Sequence, residues 1–66
     1  MPIVRVELWT GKPQEFKRKV AKEITEVMVA NMGCPAQAVT VLFDEIPQEN
    51  WAIGGELCSD VFKDKK

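Results

Sequence analysis

The sequence predicts an α/β fold in which a βαβ unit, with two parallel strands and one long helix, is followed by a short C-terminal β-hairpin. Three observations support this prediction: a period-two segment at residues 3–9, a helical period over residues 13–32, and a β-forming run at residues 39–45. A strand, a crossover helix and a second strand form a unit with parallel strands and a right-handed crossover. With 66 residues, the chain is expected to form a single domain, residues 1–66.

The first two elements are predicted from a change of hydrophobic period. Residues 3–9, "IVRVELW", alternate as a strand does, and Gly11 in the following "TGKPQ" supplies a turn. From Pro13 to Met32 the period becomes helical, and Gly33 stands where a helix C-terminus favours glycine. The apolar stripe of this helix consists of Phe16, Val20, Ile24, Val27 and Met28.

The rest of the chain is predicted to hold a second strand and the hairpin. Residues 39–45, "VTVLFDE", are rich in β-formers, and "IPQEN" after them is predicted to be a loop. The pair Gly54–Gly55 interrupts "WAIGGEL", and a tight turn is favoured there over a phosphate-binding loop. The final "CSDVFKDKK" is expected to be an exposed tail, with disorder expected only in its last four residues, "KDKK".

Size and composition indicate how such a small chain is stabilised. A chain of about 60 residues buries only about 60% of its unfolded surface, so a disulfide, a metal or oligomerisation is expected to help. There is no His, and Cys34 and Cys58 lack the paired spacing of a zinc site, so a metal is disfavoured. A single Cys34–Cys58 disulfide is possible, but the sequence shows no signal peptide, so two free thiols in a cytoplasmic protein are expected. The net charge of −1 disfavours nucleic acid and an anionic membrane surface as partners. Oligomerisation is therefore favoured.

The predicted sheet also has a face that the helix does not cover. Val4, Val6 and Leu8 lie on one face of the first strand, whereas Ile3 and Trp9 lie on the other. A two-stranded sheet under one helix is too thin to be stable alone. We therefore expect a second copy of the chain to cover the free face, and we expect Ile3 and Trp9 to be buried or nearly buried in the oligomer.

Most familiar catalytic groupings are absent from the sequence. Without His there is no Ser-His or Cys-His pair, and there is no glycine-rich nucleotide motif. Adjacent Asp44 and Glu45 would point to opposite faces of a strand, so they do not form a catalytic carboxylate pair. What remains is Pro2. Proline is typical of a strand start because it cannot donate to a ladder, but removal of Met1 would make its nitrogen a basic secondary amine.

A catalytic role for Pro2 is supported by the residues that follow it. The chain opens with "MPIVRVEL", a Gly-Lys pair follows the first strand, and an amphipathic helix leads to "VTVLFDEIPQENWAIGGEL". In these features and in length, residues 2–60 resemble the 4-oxalocrotonate tautomerase family. The most specific parts of this likeness are Pro2 ahead of a strand and the "WAIGGE" segment.

The resemblance implies a βαβ chain that pairs into dimers and assembles as a hexamer, a trimer of dimers. It also implies a keto–enol tautomerase that uses neither a cofactor nor a metal. Pro2, freed from Met1, would take a proton from an unsaturated 2-oxo (enol) acid and return it to another carbon. Such general acid–base transfer contributes roughly 10²–10⁴-fold to a rate, and it works best when the pKa of the base lies near the working pH.

The resemblance further implies substrate-binding residues. Lys12 stands where the family usually carries an arginine that holds a substrate carboxylate, and lysine makes such a contact as a point charge, not bidentately. Trp51 aligns with an aromatic residue that lines the pocket, so an apolar wall and a cation would together lower the pKa of the Pro2 amine. Core packing is the alternative role for Trp51, and a solvated position in a loop is the alternative for Lys12. Thr40 aligns with a second arginine. It carries no charge, so a role as a plain strand residue is favoured, together with a substrate that has one carboxylate.

Two other functions stay open on the sequence alone. A free proline amine can also form an iminium with a carbonyl or activate water, so a related hydratase or dehalogenase is one alternative. The other is a non-catalytic oligomer of the same fold with a structural or ligand-binding role. The departures from the family pattern at Lys12 and Thr40 favour that second alternative.

Overall fold

The predicted βαβ unit is present in the computed structural model, which describes residues 1–62. Strand β1 (Ile3–Trp9) is followed by helix α1 (Gln14–Met32) and strand β2 (Thr40–Ile46). The two strands are parallel and pair along all seven residues of each. The predicted α/β fold class is therefore confirmed, with the first strand as predicted and the second one residue later than predicted.

Helix α1 begins and ends at residues that favour a helix boundary. Pro13 is its N-cap in an extended conformation, and the amide of Phe16 donates to the carbonyl of Pro13 at 3.1 Å. Gly33 is the C-cap with a φ of 74°, and its amide donates to the carbonyl of Val29 at 3.0 Å. This left-handed backbone costs a residue with a Cβ atom about 1–2 kcal/mol, so glycine ends the helix without that strain.

A β-hairpin with a two-residue turn follows β2. The segment "IPQEN", predicted as a loop, contains a 3-10 turn at Gln48–Asn50. Strands β3 (Ala52–Ile53) and β4 (Glu56–Leu57) are antiparallel around Gly54 and Gly55, whose φ angles are 62° and 86°. Tight hairpin turns with positive φ at both central residues favour glycine at both, so the predicted turn is confirmed.

The segment after the hairpin differs from the predicted exposed tail. Helix α2 (Cys58–Val61) forms there, and Cys58 is only 1% exposed. The amide of Cys58 donates to the carbonyl of Trp51 at 2.7 Å, which ties α2 back to the residue before β3. Both Cys34 and Cys58 are free thiols, as expected. The disorder expected of "KDKK" concerns residues 63–66, which lie outside the described residues.

The β1–β2 sheet has one face under α1 and one face that α1 does not cover. Lys17 of α1 pairs with Glu45 of β2, with 2.7 Å between Nζ and Oε2, so Glu45 marks the covered face. By strand alternation, the covered face also holds the half-buried residues Val4, Val6, Leu8, Val41 and Phe43. The other face, called the open face below, comprises Ile3, Arg5, Glu7 and Trp9 of β1 and Thr40, Leu42, Asp44 and Ile46 of β2.

The two ends of the open face differ in exposure, which refines the expectation for Trp9. The ring centroid of Trp9 lies 5.9 Å from that of Trp51 and 5.4 Å from that of Phe62. The chain's own C-terminal segment therefore covers the Trp9 end without a second copy. Ile3 is 65% exposed and Leu42 is 38% exposed, so the remainder of the face keeps an apolar surface in contact with water.

A single chain buries little of its apolar surface. Within residues 1–62, Cys58 is the one fully buried side chain. In the predicted stripe of α1, Val20, Ile24 and Met28 are half-buried, whereas Val27 is 58% exposed. The radius of gyration is 15.1 Å, against about 11 Å for a compact domain of this length. Neither helix of the described chain is long and apolar enough to cross a membrane.

Candidate active site

Pro2 lies at the end of the sheet where both parallel strands begin. Its carbonyl accepts a hydrogen bond from the amide of Thr40 at 3.0 Å, so the first residue of β2 is its neighbour. Proline suits this position because the contact uses the carbonyl alone. Met1 is almost fully exposed, so little of it packs against the rest of the chain. The pair Pro2 and Thr40 is called the Pro2 end below.

Lys12 and Trp51 belong to the opposite end of β1. Lys12 follows the last residue of β1 after a turn in which Gly11 has a φ of 122°. Trp51 packs edge-on against Trp9, the last residue of β1, with an interplanar angle of 80°. Lys12 and Trp51, with Trp9 beside them at the end of the strand, are called the Lys12 end below.

The four predicted site residues thus fall into two groups that one chain keeps apart. β1 has seven residues, and at about 3.3 Å per residue it is roughly 20 Å long. Pro2 and Thr40 are at its start, and Lys12 and Trp51 are at its far end. This separation exceeds the reach of a lysine side chain. A site that contains both groups therefore needs at least two chains.

Lys12 is held by an aromatic ring. Its Nζ lies 5.5 Å from the ring centroid of Phe16, in the first turn of α1, which is within the range of a cation–π contact. Lys17 offers a contrast, because its Nζ lies 2.7 Å from a carboxylate oxygen of Glu45. The carboxylate offsets the charge of Lys17, whereas the ring leaves the charge of Lys12 available to an anion.

Trp9 also belongs to this region, although it is not among the site residues predicted from the sequence. The alternation pattern predicted only that it lies on the sheet face that a second copy covers. Besides its contact with Trp51, its indole Nε1 is buried and has no hydrogen-bond partner among the described residues. A buried donor without an acceptor costs about 1–3 kcal/mol. An acceptor from a second chain would remove that cost. The sequence contains no local signal for the contact between Trp9 and Trp51, because the two residues are far apart in the chain and meet only in the folded structure.

The side chains at the two ends suit proton transfer on an organic acid. After loss of Met1, the Pro2 end offers a secondary amine, and the Lys12 end offers a cation and an aromatic wall. Within residues 1–62, no group of three or more His, Cys, Asp or Glu side chains is arranged to hold a metal ion. A base beside a cation and an apolar wall is compatible with general acid–base catalysis on a carboxylate substrate.

Comparison with known proteins identifies one family. A family model described as tautomerase enzyme matches residues 2–61. A probable tautomerase of Streptococcus pneumoniae is 40% identical over 57 residues, which are 86% of this chain and 95% of the relative. A 2-hydroxymuconate tautomerase of Comamonas testosteroni is 33% identical over 55 residues, which are 83% of this chain and 87% of the relative.

Solved structures agree with this assignment. The crystal structure of a 4-oxalocrotonate tautomerase homologue aligns with a TM-score of 0.86 and 37% identity, covering 91% of this chain and 95% of its own. A 4-oxalocrotonate tautomerase isozyme from Methylibium petroleiphilum aligns with a TM-score of 0.84 and 33% identity, covering 91% and 97%. The resemblance in the sequence is thereby confirmed. The chain belongs to the 4-oxalocrotonate tautomerase family, among the tautomerase enzymes, and its general function is that of an isomerase.

Proposed function

We propose that the protein is a cofactor-free keto–enol tautomerase that acts on an unsaturated 2-oxo (enol) acid, with Pro2 as its general base and acid. The position of Pro2 carries the proposal. The hydrogen bond from the Thr40 amide to the Pro2 carbonyl, 3.0 Å long, fixes Pro2 at the start of β1, and the exposed Met1 is open to removal. The freed nitrogen is then a secondary amine in a defined place.

The reaction needs no other reactant. The neutral Pro2 amine takes the proton from the enol oxygen of the substrate and becomes an ammonium, while the substrate becomes an enolate. The ammonium then returns the proton to a carbon of the conjugated system, and the amine is regenerated. The enol C=C bond becomes a C–C bond and the C–O bond becomes a carbonyl, so atoms and electrons balance.

The remaining groups come from a second chain in this proposal. An antiparallel arrangement of two copies would bring the Pro2 end of one chain to the Lys12 end of the other. Lys12 would hold the substrate carboxylate, and Trp51 would form the apolar wall. Desolvation by the wall and the nearby cation both disfavour the ammonium form, so they lower the pKa of the Pro2 amine toward neutrality.

Three observations support assembly of the chain with copies of itself. The open face exposes Ile3 and Leu42, the indole N–H of Trp9 lacks an acceptor among the described residues, and Cys58 alone is fully buried there. We propose a homohexamer, a trimer of dimers, and the hexamer follows from the family resemblance. The cytoplasmic location predicted from the composition also stays a prediction.

The proposed substrate has one carboxylate. Thr40, the hydrogen-bonded neighbour of Pro2, is uncharged, so Lys12 supplies the cation among the four candidate residues. One ammonium matches one carboxylate, whereas a second carboxylate would be buried without a partner at considerable cost. For this reason a dicarboxylate should be turned over less efficiently than a monoacid of similar size.

Chemical blocking of the amine tests the proposal. Processed protein whose α-amine has been acylated, and unmodified protein from the same preparation, are compared for ketonisation of phenylenolpyruvate. Acylation should abolish turnover, because an amide nitrogen cannot accept a proton. Equal rates for the two forms, with both folded and equally assembled, would show that Pro2 only starts a strand.

A further inference from the structure

We propose that Phe16 is a positioning residue that holds the ammonium of Lys12 ready for the substrate carboxylate. The proposal rests on the proposed role of Lys12 as the substrate-binding cation. By its sequence pattern, Phe16 belongs to the apolar stripe of α1, and packing would be its only role. Its contact with Lys12 gives it a second role at the Lys12 end, on substrate affinity.

The ring is placed to hold Lys12 at the protein surface. The Nζ of Lys12 lies 5.5 Å from the ring centroid, and Phe16 is 37% exposed, so one side of the ring remains available to the ammonium. The backbone around the contact is fixed on both sides. Gly11 turns the chain before Lys12, and the amide of Phe16 donates to the carbonyl of Pro13 at 3.1 Å.

An aromatic ring is well suited to hold a cation that must bind an anion. A lysine ammonium sits on a flexible four-carbon stem, and ordering that stem when substrate arrives reduces affinity. The negative face of the ring attracts the ammonium without neutralising it, and the N–H groups turned away from the ring remain free to donate. A carboxylate in the place of Phe16 would also hold Lys12, but it would pair with the ammonium, as Glu45 pairs with Lys17, and would compete with the substrate carboxylate.

A double-mutant cycle tests the proposal. Phe16→Leu, Lys12→Gln and the combined variant are assayed with phenylenolpyruvate and with its methyl ester, and Phe16→Trp is the rescue variant. Leucine keeps an apolar side chain and a good helix former, so α1 should persist, and circular dichroism with sedimentation verifies folding and assembly. Phe16→Leu should raise KM for the acid about two- to fivefold, the loss expected of one exposed cation–π contact.

Three further results are expected if Phe16 acts through Lys12. The change in kcat on Phe16→Leu should be smaller than the change in KM. Phe16→Trp should restore KM for the acid to the parent value or below it, because indole is the strongest cation–π partner. In the Lys12→Gln background, and with the uncharged ester, Phe16→Leu should have no effect on KM.

The same cycle separates failure of this proposal from failure of the proposed function. If Lys12→Gln raises KM but Phe16→Leu leaves it unchanged, Lys12 binds substrate without help from Phe16. If Phe16→Leu is equally harmful in the Lys12→Gln background, Phe16 acts through packing of α1 and the positioning role is wrong. If Lys12→Gln itself changes nothing, the role of Lys12 in the proposed function is also wrong.

Discussion

Replacing the exposed apolar side chains of the open face should weaken assembly of the protein. In the Ile3→Ser, Leu42→Ser double variant, the single chain keeps its strands but loses the surface that a second copy would cover. Ile3 is 65% exposed and Leu42 is 38% exposed, so covering both buries about one whole aliphatic side chain per copy. Full burial of one such side chain contributes about 1.5–3 kcal/mol.

The predicted size of the effect follows from the symmetry of the interface. A two-fold interface contains the patch twice, so the double variant should lose about 3–6 kcal/mol of association free energy. This corresponds to roughly a hundred- to ten-thousandfold increase in Kd. Sedimentation velocity over a nanomolar to micromolar concentration series measures the shift directly.

A matched control distinguishes the open face from exposed apolar surface in general. Val27 is 58% exposed on α1, close to the 65% of Ile3, and serine has a helix propensity close to that of valine. Val27→Ser is therefore the matched control for Ile3→Ser alone, which is measured beside the double variant. The dissociation constant of Val27→Ser should stay near that of the parent protein. If the double variant sediments like the parent, or if the parent is monomeric at micromolar concentration, the open face is not an interface between copies.

Three further predictions concern the proposed site and the backbone. Lys12→Ala should raise KM for an acidic substrate about ten- to a hundredfold, which is the effect of losing one charged contact, whereas Thr40→Ala should change KM much less. Unchanged steady-state kinetics for Lys12→Ala would show that Lys12 is only a solvated loop residue. Mixing Lys12→Ala chains with chains that are acylated at Pro2 but retain Lys12 should restore part of the activity. In the mixed oligomer, the free Pro2 of one chain and the intact Lys12 of the other form one complete site, and no recovery after subunit exchange would contradict a shared site. Gly33→Ala should lower the free energy of unfolding by about 1–2 kcal/mol through its left-handed backbone alone, since nothing lies within 4 Å of the added Cβ atom. Chemical denaturation measures this loss, and an unchanged midpoint would contradict it.

Elements with a strong local signal could be predicted from the sequence. The alternation of residues 3–9 gave both bounds of β1, and Pro13 and Gly33 marked the ends of α1. The short helix α2 could not be predicted, because four residues are too few to show a helical period. It is stabilised by burial of Cys58 and by the hydrogen bond to the Trp51 carbonyl, which are tertiary effects.

Candidate site residues could be proposed from the sequence, but the contacts among them could not be predicted. The resemblance pointed to Pro2, Lys12 and Trp51, and the separation of Pro2 from Lys12 follows from the length of the strand between them. The edge-on contact of Trp51 with Trp9 depends on how the chain after β2 returns to the end of β1. The contact between Lys12 and Phe16 depends on one rotamer of a flexible side chain, which spacing alone does not determine.

The most direct test of the central claim, that the Pro2 amine is the base, compares two forms of the same protein. One form lacks Met1 and the other retains it, and intact mass assigns each form before both are assayed with phenylenolpyruvate. The processed form should be active, and its activity should persist to a pH below the pKa of a free proline amine, because the site disfavours the ammonium. The Met1-retaining form should be nearly inert, since its Pro2 nitrogen is an amide. Equal turnover by the two forms, both folded and equally assembled, would contradict the claim.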